Sequence, residues 1–461
     1  MLICKNETDY PLIHLGNLIN IIIELNRIDI SIERRMIMKH RKLSITIVFM
    51  FYLCFQPVEW DVSATAPIIY QAQREKEAGL SANHPLVHIP FTFDGRIVIP
   101  VSIKGLDDVG VILDSGFPQK NMMLLMHNEL GKQLGLEYAQ TQNLARGGGS
   151  GAAKPVHLAP GVNVTISHID LGSMIIGVLD ESRETSVFRN QGVFGDSVFL
   201  PYVVKVDFDA SELILYDPKT YQPEKGWEEI PLHLSERNLP LIEASIKTEE
   251  LTDIPVKLIL DTGGKSNMIL ITDEGKQITH PSKMVYGLSG IGLRGDVFAN
   301  MGRIPELKMG SVQLRDVIVD VFNKQEIIEK IPVFGEIQCD GVIGIGCMYR
   351  FNMIFDYTHS RLFIKPNTFF LDVFDLNMAG MVIEKMGRGD HVVHYVMDGS
   401  PASEQGIQKN DVVEEVNSKH IDDFDYLELK KAFEQENETV TIGICRDGKR
   451  RTIQLKLERI I

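Results

Sequence analysis

Cysteine is scarce. Only Cys4, Cys54, Cys339, Cys347 and Cys445 occur in 461 residues, and no Cys-x-x-Cys spacing exists. Zinc and thioredoxin-type sites therefore have no support. Cys339 and Cys347 are near enough in sequence to meet across a loop, but buried free thiols are the expectation. No block of like charge is long enough to form a tail. The chain has no Gly-x-x-x-x-Gly-Lys-[Ser/Thr], no His-Glu-x-x-His and no Gly-x-Ser-x-Gly, and its histidines are scattered. These absences disfavour a phosphate-binding loop, a metal site and a serine hydrolase, so neither a metal nor a cofactor is expected. Net charge is −15 and the pI about 5.4, a surface that repels phosphate backbones and makes nucleic acid an unsuitable partner. Hydrophobic residues at 44 % and charged residues at 24 % are those of a globular chain with a sizeable core, and the length suggests about three domains.

The N-terminus reads as a targeting segment. Lys39-His40-Arg41-Lys42 precede an apolar run from Leu43 to Phe55, and Ala64-Thr65-Ala66 follow. This is the layout of a secretory signal peptide. The run is shorter than the ~20 residues of a spanning helix, so cleavage is expected over retention as a membrane anchor. Residues 1–37 fit either a start assigned too early, with initiation at Met38, or a short membrane-proximal helix. Residues 1–66 are set apart from the fold. The expected location is exported, periplasmic or extracellular, with transient membrane association through this segment.

An internal repeat organises the remainder. Gly192-Val193-Phe194-Gly195, then Val206-Asp207-Phe208 and Ser211, parallel Gly341-Val342-Ile343-Gly344, then Phe355-Asp356-Tyr357 and Ser360. The offset is constant, since 341 − 192, 356 − 207 and 360 − 211 all equal 149. Residues 84–218 and 228–367 are thus two copies of one unit. Their segments are short, apolar and β-branched, separated by Gly, Pro and Asp, and read as strands. At matching places each copy has an apolar strand ending in Asp-[Ser/Thr]-Gly: Leu113-Asp114-Ser115-Gly116 and Leu260-Asp261-Thr262-Gly263. Two carboxylates brought close cannot both ionise easily, so one stays protonated as an acid while the other serves as a base. Such a pair can activate water and protonate a carbonyl oxygen.

On these motifs the chain resembles the retropepsin-like (pepsin-type) aspartyl proteases, in a tandem two-lobe form. The resemblance implies two mostly-β acid-protease barrel lobes in pseudo-two-fold arrangement, catalytic Asp114 and Asp261, and loop support from Ser115, Gly116, Thr262 and Gly263. It also implies glycine-rich flaps over the substrate. Gly148, Gly149 and Ser150 are the candidates in the first copy, and Ser289 and Gly290 in the second. Phe117 departs from the pattern: it is bulky where the second copy has Gly264. Gly290-Ile291-Gly292-Leu293-Arg294-Gly295 spells a dinucleotide-binding pattern, but no helix pattern follows it.

From about residue 374 the pattern changes. Gly399-Ser400-Pro401-Ala402, then Gly406 through Asn417, resemble a PDZ domain, covering 374–461. The resemblance implies a β-sandwich with two helices. It also implies capture of peptide C-termini by the loop Met378-Ala379-Gly380-Met381, running on through Val382 and Ile383. Leu429 and Phe433 share one face of a helix beside it. The expected whole is a monomeric exported endopeptidase acting on peptides or unfolded proteins. The alternatives are a catalytically inactive peptide-binding scaffold and an obligate dimer with one lobe per site.

Overall fold

The computed structural model of the chain describes residues 83–461, apart from 141–142, 146, 185, 187 and 251–252. The expected signal peptide or anchor, residues 1–66, lies outside the described residues. Among the described residues no helix is long and apolar enough to cross a bilayer.

The fold is mostly β because the sequence alternates. In Lys154–Ile166, for example, Val162, Val164 and Ile166 turn inward while Asn163 turns out, the two-residue period of a strand with one buried face. The first copy orders its strands Thr92–Phe93, Ile97–Ile103, Leu106–Leu113, Gly192–Phe194, Met122–Leu125, Ile169–Leu179, Lys154–Ile166 and Asn143–Ala145. Ile97–Ile103 also pairs with Lys154–Ile166, so the sheet returns on itself. The second copy runs Pro240–Lys247, Ile254–Asp261, Gly341–Gly344, Met268–Ile271, Val312–Phe322, Gly295–Met309 and Met284–Gly292, and Pro240–Lys247 pairs back onto Gly295–Met309. From Ile97–Ile103 and Pro240–Lys247 onward the two orders match strand for strand.

A shared sheet joins the copies in the order Val87–Pro90, Glu212–Tyr216, Val203–Asp207, Phe351–Asp356, Arg361–Pro366 and Glu228–Leu234. At its centre Lys205 faces Ile354. These residues are 354 − 205 = 149 apart, the offset of the repeat itself. Each central strand therefore pairs with its own counterpart, and a pseudo-two-fold axis passes between them. One apolar cluster runs through both copies, from Ile89 and Ile99 to Leu258, Phe351 and Phe355.

The C-terminal segment has a separate core of Met378, Val393, Ile407, Val413, Ile442 and Leu455. Its strands follow the order Met381–Lys385, His391–Val396, Val412–Val416, Thr439–Arg446 and Lys449–Lys456, with Lys419–His420 beside Val412–Val416. Hydrogen bonding is continuous through six strands, although His391–Val396 and Val412–Val416 meet at one pair, Val392 with Val412. The helices Pro401–Glu404 and Tyr426–Ala432 contribute Ala402 and Leu429 to that core. The connection to the lobes is held by buried arginine. Arg350, 1 % exposed, donates to the carbonyls of Asp372 at 3.0 Å and Val373 at 2.9 Å, with Phe374 under its guanidinium. Arg303 donates to the carbonyls of Phe374 and Ile461 and pairs with Asp375.

Gly341 shows how tightly the Asp-bearing strand is packed. Ile254–Asp261 lies parallel to Gly341–Gly344, with Ile259 opposite Val342. A Cβ on Gly341 would overlap the Ile269 carbonyl oxygen. Gly341→Ala is expected to destabilise the fold by about 3 kcal/mol, read as a lower urea midpoint at unchanged slope.

Candidate active site and peptide-binding groove

Asp114 and Asp261 come from different copies, yet their loops are tied to each other by four buried hydrogen bonds. Ser115 N–H donates to Thr262 Oγ1 at 2.9 Å, and Thr262 N–H donates to Ser115 Oγ at 3.0 Å. Each hydroxyl then donates across the axis, Ser115 Oγ to the Leu260 carbonyl at 2.8 Å and Thr262 Oγ1 to the Leu113 carbonyl at 2.7 Å. Ser115 and Thr262 are fully buried, at 1 % and 0 % exposure. Glycine follows each because nothing larger fits. A Cβ on Gly116 would sit 2.7 Å from the Asp261 carboxyl carbon, and one on Gly263 would overlap the Asp114 carboxyl. The structure thus brings together Asp114, Ser115, Gly116, Asp261, Thr262 and Gly263.

The two carboxyls share a hydrogen bond, and neither is an ordinary acid. Burial first, and then the charge of Asp261, raise Asp114 well above the usual carboxylate range. Burial also raises Asp261, against the pull of backbone donors. The donors are unequal. Asp261 Oδ1 accepts from Gly263 N–H and Gly264 N–H, each at 2.9 Å. Asp114 Oδ1 accepts from Gly116 N–H at 2.7 Å. The next amide, that of Phe117, bonds to the Asp114 carbonyl instead. N–H donors favour the ionised form, so Asp261 is the better anion and Asp114 the better holder of the shared proton. Phe117, the departure seen in the sequence, is the source of that asymmetry. Its ring packs on the apolar cluster that contains Val98, Ile112, Leu124, Met126 and Phe188.

Two hairpins, one from each copy, meet at their turns. Gly148, Gly149 and Ser150 lie in the connection between Asn143–Ala145 and Lys154–Ile166, which pair with each other. Ser289 and Gly290 are not at a tip, contrary to expectation. They sit in the strand Met284–Gly292, at a break in its register, and the turn falls at Leu293-Arg294 between Gly292 and Gly295. Pairing with Gly295–Met309 carries on past these residues to Gly292, so the strand does too. Ser289 points down and donates to buried Asp320 at 2.8 Å; burial pushes Asp320 up to about 7. The dinucleotide-like glycines belong to this hairpin, and a strand, Gly295–Met309, follows them. Arg294, which the sequence reading missed, fastens the tips. Its side chain donates to the carbonyls of Gly147, Glu329 and Lys330, and its backbone exchanges bonds with Gly148 and Gly151. Leu293 packs against the same apolar cluster as Phe117.

The C-terminal sheet presents Met381–Lys385 as an edge strand, with Tyr426–Ala432 as the neighbouring helix of that unit. Gly380 has φ +71°, and a Cβ there would overlap Ser400. Val382 and Ile383 are half-buried; Ile383 and Leu429 pack on the unit's core, and Phe433 is inside it. A family model for the PDZ domain matches residues 379–457. Those residues are a PDZ domain. No curated protein matches the chain. PDZ domains take peptides by strand addition at a sheet edge, so peptides are partners of this one.

The loop expected to take a terminal carboxylate is capped from within the chain. Asn377 already occupies two of its amides: its Oδ1 accepts from Ala379 N–H at 2.9 Å and its carbonyl from Gly380 N–H at 2.8 Å. Met378 N–H is held by the Phe433 carbonyl, and Met378 and Ala379 are buried in the core rather than facing a ligand. The PDZ domain also touches both lobes. Glu384 pairs with Lys265 of the second Asp loop, at 3.0 Å. His394 pairs with Asp296 beside the hairpin turn, at 2.8 Å. Tyr426 packs edge-on against Phe93.

Two measurements bear on these arrangements. Thr262→Ala leaves the Ser115 amide and the Leu113 carbonyl without their partner; buried groups so stranded cost about 1–3 kcal/mol each. A loss of about 3 kcal/mol in urea denaturation is expected, with Thr262→Ser close to wild type. Because Asn377 fills the loop, amidating the C-terminus of a bound peptide should change Kd by less than about threefold, against the larger loss due when a charge-assisted hydrogen bond is removed. Fluorescence anisotropy with matched free and amidated peptides decides this, and a tenfold preference for the free acid would show that Asn377 yields the site.

Proposed function

We propose that the chain is an aspartic-type endopeptidase, exported by its N-terminal segment, whose PDZ domain supplies peptide binding beside the catalytic cleft. The observation that carries this is the reciprocal bonding of Ser115 and Thr262, which sets two unlike carboxyls against each other at the junction of the copies. On this reading each copy is an acid-protease lobe, and one chain makes one site. The attacking water gives a proton to the Asp261 carboxylate as its oxygen adds to the peptide carbonyl carbon. Asp114 gives its proton to the carbonyl oxygen, producing a neutral tetrahedral diol. On collapse the C–N bond breaks, Asp261 passes its proton to the leaving nitrogen, and a hydroxyl proton returns to Asp114. The hairpin turn at Leu293-Arg294 shields the reaction from bulk water.

Phe117 favours a second reading, a peptide-binding scaffold without turnover, because it removes one amide from Asp114. Incubating a pool of unfolded peptides with the chain from Pro67 onward, across pH 3–8, separates the two. Cleavage that falls by at least about 100-fold in both Asp114→Asn and Asp261→Asn is expected, the scale of a lost general acid or base. Binding with no turnover by the wild type would establish the scaffold.

Stability gives an independent pH signature. Because the folded pair holds a proton that the unfolded chain releases near pH 3.8, its stabilising contribution is complete below that pH and is lost as pH rises through the raised value. Asp114→Asn removes the cost of the second charge. Its thermal midpoint should exceed wild type at pH 7 and converge with it toward pH 3, measured by calorimetry.

A further inference from the structure

The groove of the PDZ domain has two ends. One is the loop at Met378–Met381, where Asn377 takes the amides. The other lies where Met381–Lys385 finishes and Tyr426–Ala432 begins, and it abuts the lobes. Glu384 on the strand side holds Lys265 Nζ with both carboxylate oxygens, at 3.0 and 3.1 Å. Lys265 is four residues beyond Asp261. Tyr426 on the helix side lies so close to Gly95 that a Cβ there would sit 2.8 Å from the ring, and Gly95 takes φ +85°. Next to Gly95, Arg96 is within electrostatic reach of both Tyr426 and Asp114. One basic residue from each lobe therefore lies near the groove's end, Lys265 bonded to Glu384 and Arg96 beside Gly95.

We infer that groove and cleft form one substrate track, in which an extended polypeptide seated along Met381–Lys385 leaves between Glu384 and Tyr426 and enters the cleft past Lys265 and Arg96. The inference rests on Asp114 and Asp261 being the catalytic pair. The occupant is a stretch of unfolded chain carrying apolar side chains. The outer edge of Met381–Lys385 has no strand partner among the described residues, so its backbone groups are open to an added strand. Val382, Ile383 and Leu429 supply apolar surface beside that edge. The filled amides at Asn377 give a terminal carboxylate no privileged seat. A chain held in the groove meets the dyad at a raised effective concentration, so the PDZ domain selects unfolded stretches flanking the scissile bond.

The test needs no turnover. Full-length protein carrying both Asp114→Asn and Asp261→Asn is mixed with an extended peptide of about ten residues, alternating Val and Thr. At about 3.3 Å per residue it spans about 33 Å, roughly twice the five-residue strand. A benzophenone side chain is placed at one end or at the other, and cross-links are mapped by mass spectrometry. One end should link within 377–385 or 426–433 and the other within 94–96 or 263–267. Both ends confined to 374–461, both confined to the lobes, or no specific link, would overturn the track. The mapped pattern combined with a wild type that cuts nothing would support the track and refute the peptidase reading. Cleavage by the wild type with both ends confined would refute the track alone.

Discussion

Two hydroxyls crossing a pseudo-two-fold axis fix everything else about the candidate site. Ser115 and Thr262 each accept from the other's amide and donate to the carbonyl before the other's aspartate. Both are buried, so the bonds cannot be exchanged for water, and breaking one strands a polar group in the core. The loops can then occupy only one relative position, with the carboxyls in contact. From that contact follow the glycines, since any Cβ at 116 or 263 would press on the opposite carboxyl. The raised affinity for a proton follows too, since two charges cannot be held so near in a desolvated place. The central strand pairing does the same at larger scale. Lys205 opposite Ile354 aligns the copies so that equivalent loops must meet.

Perfect symmetry would give the dyad no preference for where its proton resides. The chain breaks symmetry at one amide. In the second copy Gly264 turns its N–H to Asp261; in the first, Phe117 turns its N–H to the backbone and its ring to the apolar cluster. The carboxyl that loses a donor is the better holder of the shared proton, and the one that keeps both donors is the better anion. Phe117 and Leu293 of the second hairpin both pack on the same apolar cluster of the first copy.

Much of this was legible before any coordinates. The offset of 149 could be counted from Gly192 and Gly341 through the strands that follow because close packing fixes those glycines, Gly341 against Ile269 being an instance; the Asp loops themselves stand 147 apart. The PDZ segment was legible from the turn residues Gly399-Ser400-Pro401 and Gly406. What failed was position within an element. Ser289 and Gly290 looked like a tip because glycine suits a turn, yet Asp320 beneath required a hydroxyl, and the strand ran on to Gly292. Asn377 lay outside the loop expected to bind carboxylate, and local pattern does not reveal which side chain folds back onto it. Arg294, Lys265 and Arg96 act across chain separations that periodicity does not register.

The lobes share a continuous apolar core, which has one well-packed arrangement. The PDZ domain keeps its own core but also leans on that of the lobes: Phe374 and Ile461 are buried in it, and Leu376, Met397, Leu427 and Ile460 pack against it. Arg303 and Arg350 fasten its root, and polar pairs, Glu384 with Lys265 and His394 with Asp296, lie at its face. Partly exposed ion pairs contribute little net stability. They do favour one orientation, in which Glu384 meets Lys265 and His394 meets Asp296. Apolar packing and polar pairs together position the PDZ strand Met381–Lys385 beside the second Asp loop and the hairpin turn.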